Sequence, residues 1–408
     1  MTDSHPLMGS LDLHGGEPFW LVSNGLGLVV PPLEDSVRCD VAVLGGGITG
    51  ALVADALSDA GLSVVVLDRR HLGRGSTAAS TALLQYDIDT PLFQLREKIG
   101  KEGADRAYHL GLEAIDTIAE RATEPACAFA RKPSLYFARG DKAVRELEQE
   151  FAARQDAGLA VEWLNDAALR ADYGLVADAA IRSSVAAQVD PFCLAQLLLQ
   201  GCQRRGVAIH DRTQIADIEE TESSVTLTTS SGATVAADWL VHATGYESVQ
   251  TLPKGVVSLH STFAAISEPL QTQRGVWSDR ALIWEYANPY MYARWVEDRL
   301  MFGGADVDFK NATARDKLLP RKITELCETM KTLCPERAIE PAFGWCGTFG
   351  STKDGLGYIG APRKRPRSLY ALGFGGNGIT YSAIARRILT NHILGRDDTD
   401  AELFRFGR

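Results

Sequence analysis

The segment that most constrains this chain is residues 45–50, Gly-Gly-Gly-Ile-Thr-Gly, set between an apolar run at 41–44 and a stretch of small residues at 51–60. With a second apolar run at 64–67, the pattern predicts a buried strand, a glycine turn, a helix and another buried strand, a Rossmann-like unit. The spacing satisfies G-x-G-x-x-G. Gly45 allows the tight turn, Gly47 lets backbone approach a pyrophosphate, and Gly50 lets helix and strand close up. The helix N-terminus, at Ile48 and Thr49, offers unpaired N–H groups and a positive dipole end to phosphates. Asp68 ends the second strand, where its carboxylate can accept hydrogen bonds from both hydroxyls of a ribose. The motif predicts a dinucleotide site without naming the dinucleotide, since Arg69 and Arg70 also read as a clamp for the extra phosphate of NADP. The plainer alternative is an ordinary glycine turn between strand and helix.

At 408 residues and 45% hydrophobic content the chain can bury the cores of two interleaved domains. Its 42 Lys+Arg against 52 Asp+Glu give a net charge of −10, which argues against a surface that neutralises nucleic-acid phosphates or anionic lipid, so a small-molecule partner is expected. Seven cysteines without a C-x-x-C pair fit reduced thiols in a cytoplasmic protein. The first thirty residues lack a basic n-region, and the apolar run at 21–30 is short and broken by Ser23, Asn24, Gly25 and Gly27, so neither a signal peptide nor a membrane span is expected. H-E-x-x-H, G-x-S-x-G and P-loop motifs are absent and the eight histidines are dispersed, so no metal site is expected, and His71 and His242 read as structural.

Residues 1–37, rich in Gly, Pro and Ser, read as an irregular arm whose Phe19 and Trp20 are candidates to clamp it to the body. One packed helix is expected over 92–122, with a strand at 134–138 and helices at 141–156 and 192–205. Short strands follow at 207–210, 215–219, 225–229, 234–236 and 239–244. The aromatic, strand-rich region 256–310 is the candidate substrate-domain sheet. A helix near 313–333 precedes a last glycine cluster, 373–378, which opens a helix at 379–394.

Three further segments carry a resemblance. Asp68-Arg69-Arg70 runs into a small, hydroxyl-rich loop containing Gly75, Ser76, Thr77, Ser80 and Thr81; a strand end reads Val241-His242-Ala243-Thr244-Gly245; and the tail holds Trp345-Cys346-Gly347, Thr352-Lys353-Asp354-Gly355 and Gly373-Phe374-Gly375-Gly376-Asn377-Gly378-Ile379. In this order they resemble the D-amino-acid-oxidase and glycine-oxidase family of FAD enzymes, over roughly residues 38–395. The arm and residues 80–86 are similar to the bacterial γ-glutamylputrescine-oxidase-like branch. The resemblance implies an α/β chain (α+β overall) with a Rossmann-like FAD-binding domain and an interleaved antiparallel-sheet substrate domain. The FAD-binding domain would comprise 38–100, 189–250 and 341–395, the substrate domain 101–188 and 251–340, and 396–408 a tail. Within the FAD site the resemblance places the 45–50 turn, Asp68 and Arg69, the 75–81 loop, Ala243–Gly245 and Gly375–Ile379, the last at the isoalloxazine end. Some relatives bind FAD covalently through a cysteine; the matching position here is Gly347, with Cys346 one place away, so non-covalent FAD is expected.

The resemblance also implies hydride transfer from the carbon beside a substrate amine to flavin N5, giving an imine that hydrolyses, with no side-chain catalyst assigned. Trp284, Tyr286, Tyr290 and Tyr292 are candidate pocket walls, or plain core. Relatives hold a substrate carboxylate with arginine, and alternation with Tyr290 and Tyr292 makes Arg294 the candidate, against a surface-facing alternative. The loop Gln85-Tyr86-Asp87-Ile88-Asp89 supplies acids where an arginine would suit an amino acid, so Asp87 or Asp89 is a candidate for a distal cation of a polyamine-like substrate, and Gln85 and Tyr86 for the pocket. Residues 299–304 lack the lysine that assists oxygen in some relatives, so the expected oxidant is oxygen or a quinone or other electron carrier. Two other classes stay open: an NAD(P)-dependent dehydrogenase, which shares only the first motif, and a non-catalytic or RNA-modifying flavoprotein, which keeps the cofactor site without an amine pocket.

Overall fold

A computed structural model describes residues 12–252, 255–271 and 276–408, and shows a mixed α/β chain built on two sheets. In the smaller sheet Val37–Leu44 lies parallel to Val64–Leu67 on one side and Thr234–His242 on the other, with Ala208–His210 and Ser368–Leu372 extending the parallel run. Both faces of these strands are covered, which is why their sequences are continuously apolar. Val41, Val43, Val64 and Val66 face the helices Ile48–Asp59, Pro191–Arg204 and Gly378–Ile393. Ala42, Leu44, Val65 and Leu67 face the antiparallel layer formed by Ile215–Glu220, Val225–Thr229 and the start of Thr234–His242.

The larger sheet runs in the order His14–Gly16, Pro341–Ser351, Ser258–Ser267, Arg299–Asp308, Met291–Val296, Leu282–Glu285, Ala130–Ala138, Ala179–Gln188, Leu83–Gln85, with Val161–Asn165 also paired to Ala179–Gln188. It is antiparallel except where Leu282–Glu285 meets Ala130–Ala138. One face packs Phe263, Ile283, Ala293 and Phe302 against Leu326, Met330 and Leu333 of the helix Ala312–Leu333. Residues 341–351, grouped by sequence with the parallel sheet, pair instead along Ser258–Ser267 in this larger one.

Three local expectations change. The single helix over 92–122 is two, Leu92–Ile99 and Lys101–Arg121, because Gly100 takes φ +82, where a right-handed helix cannot continue. Residues 234–236 and 239–244 form one strand, Thr234–His242, which pairs with Val225–Thr229 early and with Ser368–Leu372 late. The arm is more regular than its composition suggests: His14–Gly16 pairs with Pro341–Ser351, and a short helix, Phe19–Asn24, follows.

The arm's aromatics do clamp it. Trp20 is buried, its indole N–H donates to the Ser80 carbonyl at 2.7 Å, and the Arg294 guanidinium lies 5.2 Å from its ring centroid. The Leu13 carbonyl accepts the Thr348 N–H, and Leu13 reaches the space over Gly75. The N-terminal strap therefore lies across the 75–80 loop. Among the described residues no helix is long and apolar enough to cross a membrane. Replacing Trp20 by Ala should cost about 3–5 kcal/mol of stability, the range for truncating a buried aromatic, and loosen the 75–80 loop. Denaturant midpoints and hydrogen exchange at Ser76–Ala79 check it; unchanged protection there would show that the arm is not a clamp.

Candidate functional site

The glycine turn is fixed by close contacts. Gly45 has φ +106, and a Cβ there would stand 2.3 Å from the Ala243 carbonyl oxygen. A Cβ at Gly50 would stand 1.8 Å from the Gly45 oxygen. At Gly47 a Cβ would meet only Thr77 Oγ1, at 3.0 Å, because that side opens into a cavity. The Ile48 N–H donates to Thr77 Oγ1 at 2.9 Å, and Thr49 shares a 2.7 Å hydroxyl contact with Ser382, tying the first turns of two helices together. Asp68 accepts the N–H groups of Gly46 and Arg70, each at 2.8 Å. Burial pushes its carboxyl up to about 6, against the pull of those two donors.

The cavity, about 320 Å³, opens at the carboxyl ends of the parallel strands, where Leu44, Leu67, His242 and Leu372 all line it. It is bounded by Gly45, Gly47, Ile48 and Thr49 of the turn, Asp68 and Arg69, Gly75 to Thr77, Ser80 and Thr81, Ala243 to Gly245, and Gly375 to Ile379; Gly46 and Gly50 are set back, Gly50 serving helix–strand closure. Among the described residues, buried polar atoms on this wall without a protein hydrogen-bond partner include Ser76 Oγ, Gln85 Nε2, His242 Nε2 and Trp284 Nε1, besides the carboxylate of Asp87. Orphaned groups of this kind cost about 1–3 kcal/mol each unless a ligand or water meets them, so the wall is suited to a polar ligand. His242 stacks on Tyr370 at 4.1 Å, and burial lowers its imidazole to about 3, so it is neutral.

At the other end, Trp284 stacks on Tyr136 at 3.6 Å and meets Tyr290 edge-on at 6.3 Å, and Tyr290 lies 5.9 Å from Tyr292. Gly303 makes room for this wall, since a Cβ there would stand 2.4 Å from the Tyr292 hydroxyl. Burial pushes Tyr292 up to about 12 and holds Tyr290 well above its ordinary value, so both phenols keep their protons. Gln85 and Asp89 line the cavity with Tyr290 and Tyr292, whereas Tyr286 points to Glu146 and Gln94 outside it.

Two expected pocket residues lie elsewhere. Arg294 shares a strand face with Tyr292 but lies further along it, where its guanidinium donates to the Val189 carbonyl at 3.0 Å and sits over Trp20. Burial lowers it to about 9, with Asp190 opposing. It packs against Trp20 of the arm and does not line the cavity. Tyr86 turns the opposite way from Gln85, into the core beside Tyr108. Asp87 reaches the cavity wall, but its charge is met by an ion pair with Arg154, which also binds Glu150 at 2.7 Å. Burial works against the Arg154 charge, yet Asp87 and Glu150 hold its pKa well above the ordinary value. Rings of Tyr136, Tyr86 and Tyr108 surround that guanidinium at 5.2, 5.6 and 5.8 Å.

A sequence model of the family described as DAO, FAD dependent oxidoreductase, matches residues 40–391. The chain belongs to that family. It is an FAD-dependent oxidoreductase enzyme. Among curated proteins it is 24% identical to the Escherichia coli gamma-glutamylputrescine oxidoreductase over 389 residues, 91% of this chain and 86% of that one. It is also 24% identical to a probable oxidoreductase, OrdL, of Haemophilus influenzae over 391 residues, 90% and 86% of the two chains. The crystal structure of glycine oxidase from Geobacillus kaustophilus superposes with a TM-score of 0.74 at 20% identity, covering 91% of this chain and 99% of the other, which shows a shared fold.

With FAD as the cofactor, the two arginines after Asp68 need another explanation than a 2′-phosphate clamp. Both pair with Glu247, Arg70 at 2.9 Å. Sequence reasoning missed Glu247, although it stands two residues after the 241–245 strand end, because nothing in the sequence ties it to arginines far earlier in the chain. It also missed Leu13, Tyr246 and Phe349, which line the cavity. The Arg154–Asp87 ion pair joins the helix Asp141–Asp156 to the 85–89 loop, the Glu150 pair lies within that helix, and replacing Arg154 by Met leaves two buried carboxylates unmatched. The expected loss is about 3–5 kcal/mol of stability, the range for breaking a buried pair. A denaturation midpoint within error of wild type would show that the carboxylates reach water or bind protons without cost.

Proposed function

We propose that this enzyme oxidises the C–N bond of an amine, with a preference for substrates that carry no carboxylate beside the reacting nitrogen. The observation that carries this reading is the make-up of the cavity: its only arginines, among the described residues, are Arg69 and Arg70, beside Asp68 and paired with Glu247, while the opposite end holds Asp89 and the rings of Trp284, Tyr290 and Tyr292. An α-amino acid would bring a carboxylate into that end with no cation to meet it, beside a buried acid.

In this reading the residues expected at the cofactor hold FAD non-covalently. Asp68 takes the ribose hydroxyls, the N–H groups of Gly47 and Thr49 and the Ser76 hydroxyl take the pyrophosphate, and Gly376 to Ile379 face the isoalloxazine end. Gly347 and Thr348 line the cavity, whereas the Cys346 thiol donates to Asp316 Oδ1 at 3.2 Å on the other side of the strand, out of reach of the cofactor. Bound FAD supplies the hydride acceptor, N5.

The chain's own task is to deliver the amine unprotonated. An alkylammonium with a pKa of about 10 must lose its proton, at roughly 4 kcal/mol near pH 7. Aromatic walls that exclude water disfavour the ammonium and lower that cost. Asp87 does not oppose this, because Arg154 already balances it, and burial, which favours a proton on Asp89, limits the opposition from that carboxyl. The proposed route ends with an imine that leaves and hydrolyses in water.

Purified protein should be yellow or take up FAD, release free FAD on denaturation and filtration, and be bleached anaerobically faster by alkyl amines than by α-amino acids. Colourless protein that takes up no FAD overturns the cofactor assignment, and faster bleaching by amino acids overturns the amine preference. Asp68→Asn should weaken FAD binding by about tenfold or more, as expected for losing a charged acceptor. Wild-type affinity should decline as pH falls below about 6, as the Asp68 carboxylate takes a proton, and the Asn variant should lack that decline. Equal FAD dissociation constants for the two proteins would remove Asp68 from the site.

A further inference from the structure

Asp89 occupies an unusual place for a carboxylate. Its Oδ2 accepts the Gly376 N–H at 2.8 Å, just before the helix Gly378–Ile393, and the Tyr290 hydroxyl hydrogen-bonds to the same carboxyl. The glycine cluster is shaped around it: a Cβ at Gly375 would stand 2.1 Å from Asp89 Oδ2, and one at Gly376 would stand 3.1 Å from Oδ1. The Asn377 amide donates to the Asp87 carbonyl at 2.5 Å, fastening the 87–89 loop to the turn from the other side. Asp89 lines the cavity, yet it forms no ion pair among the described residues, in contrast with Asp87. Two glycines of the last cluster, Gly375 and Gly376, are therefore packed against an acid.

We propose that Asp89 sets the electron affinity of bound FAD, its carboxylate taking the Gly376 donor and placing a negative charge where electrons arrive. This rests on the reading that Gly376 to Ile379 face the isoalloxazine end. Backbone N–H groups at a helix N-terminus favour negative charge, and two like charges held there in a dry site oppose one another. The ionised carboxylate therefore makes FAD harder to reduce, and its protonation removes that opposition. Burial raises its proton affinity, with the Gly376 and Tyr290 hydrogen bonds opposing. The groups facing it are Tyr290, His260, Asp306, Tyr246 and Tyr381. Only His260 among them is a base, and it is engaged by Ser351 at 2.8 Å and Asp308 at 3.5 Å. Asp306, pushed up to about 7 by burial, adds a second acid that favours a proton on Asp89. In proton terms, a substrate hydride brings two electrons and one proton, and Asp89 draws one further proton from solvent as the charge arrives. Reduction in the wild type thus consumes one more proton than in a variant lacking the carboxylate.

The test uses FAD-loaded protein, with reduction potential measured against pH and with sulfite as a probe, since sulfite adds to oxidised flavin and leaves a negative charge on the ring. Asp89→Asn should bind sulfite at least about tenfold more tightly, have a higher potential, and lose the steeper part of the potential–pH curve. Unchanged sulfite affinity and an unchanged pH slope would overturn the proposal. If the Asn variant fails to fold or to hold FAD, Tyr290→Phe serves instead: it removes a donor to the carboxylate, so the steep part should move to higher pH, and a curve that stays in place overturns the proposal. Wild-type protein that takes up no FAD defeats the cofactor reading itself, a separate outcome.

Discussion

The fold is organised around one close approach, where the Gly45 carbonyl lies against Gly50 on one side and Ala243 lies against Gly45 on the other. Because no Cβ fits at either glycine, the strand Val37–Leu44, the helix Ile48–Asp59 and the strand Thr234–His242 are drawn together at a single point. The carboxyl ends of the parallel strands then face a common crevice, the position where doubly wound sheets bind ligands. The last glycine cluster reaches this point through the Thr49–Ser382 contact, so distant parts of the chain share one anchor.

From that anchor the larger sheet is attached by charge as well as by apolar contact. The chain leaves the 75–81 loop as the edge strand Leu83–Gln85, and the next residues fasten it in three directions. Asp87 pairs with Arg154, Asp89 accepts from Gly376, and the Asp87 carbonyl accepts from Asn377. Desolvating such charges is expensive, and well-packed apolar residues often match or exceed the stability of a buried pair. What the polar links provide is direction: each bond has a defined geometry, so the loop is held at one height between the aromatic wall and the glycine cluster.

The cofactor end was legible in the sequence because its determinants are local and concern backbone. A glycine turn, a strand end with Asp68 and a glycine-rich helix start each occupy a few consecutive residues, and their steric needs are the same wherever they occur. The aromatic end of the cavity was less legible because its determinants are pairings between segments far apart. Strand alternation placed Tyr290 and Tyr292 on the face that lines the cavity but could not tell how far along that face the cavity extends, and Arg294 lies beyond it, under Trp20. Tyr86 was misplaced because a strand as short as Leu83–Gln85 leaves the parity of the following residues undetermined. Glu247 and Arg154 carry no motif, and their roles exist only once the fold brings partners to them. Asp89 was singled out as a cation binder, and its contact with Gly376 depends on residues nearly three hundred positions away.

These features bear on how cofactor and fold depend on each other. The cavity wall is assembled from the arm at Leu13, both sheets and the final glycine cluster, so no single segment can hold the ligand alone. Ser76, Gln85, His242 and Trp284 each present a buried polar atom that the protein leaves unpaired, which penalises the folded chain until something polar meets them. A ligand that does so adds its binding energy to folding in proportion to how far its concentration exceeds its dissociation constant. The arm lies across the 75–80 loop, so Trp20 and Leu13 help to fix that part of the cavity wall. The acidic side of the site works the other way: an ionised Asp89 and Asp306 beside the aromatic wall repel added negative charge. The wall thus offers unpaired polar atoms at one end and, in the proposal for Asp89, opposes added negative charge at the other, with the proton on that carboxyl setting the strength of the opposition.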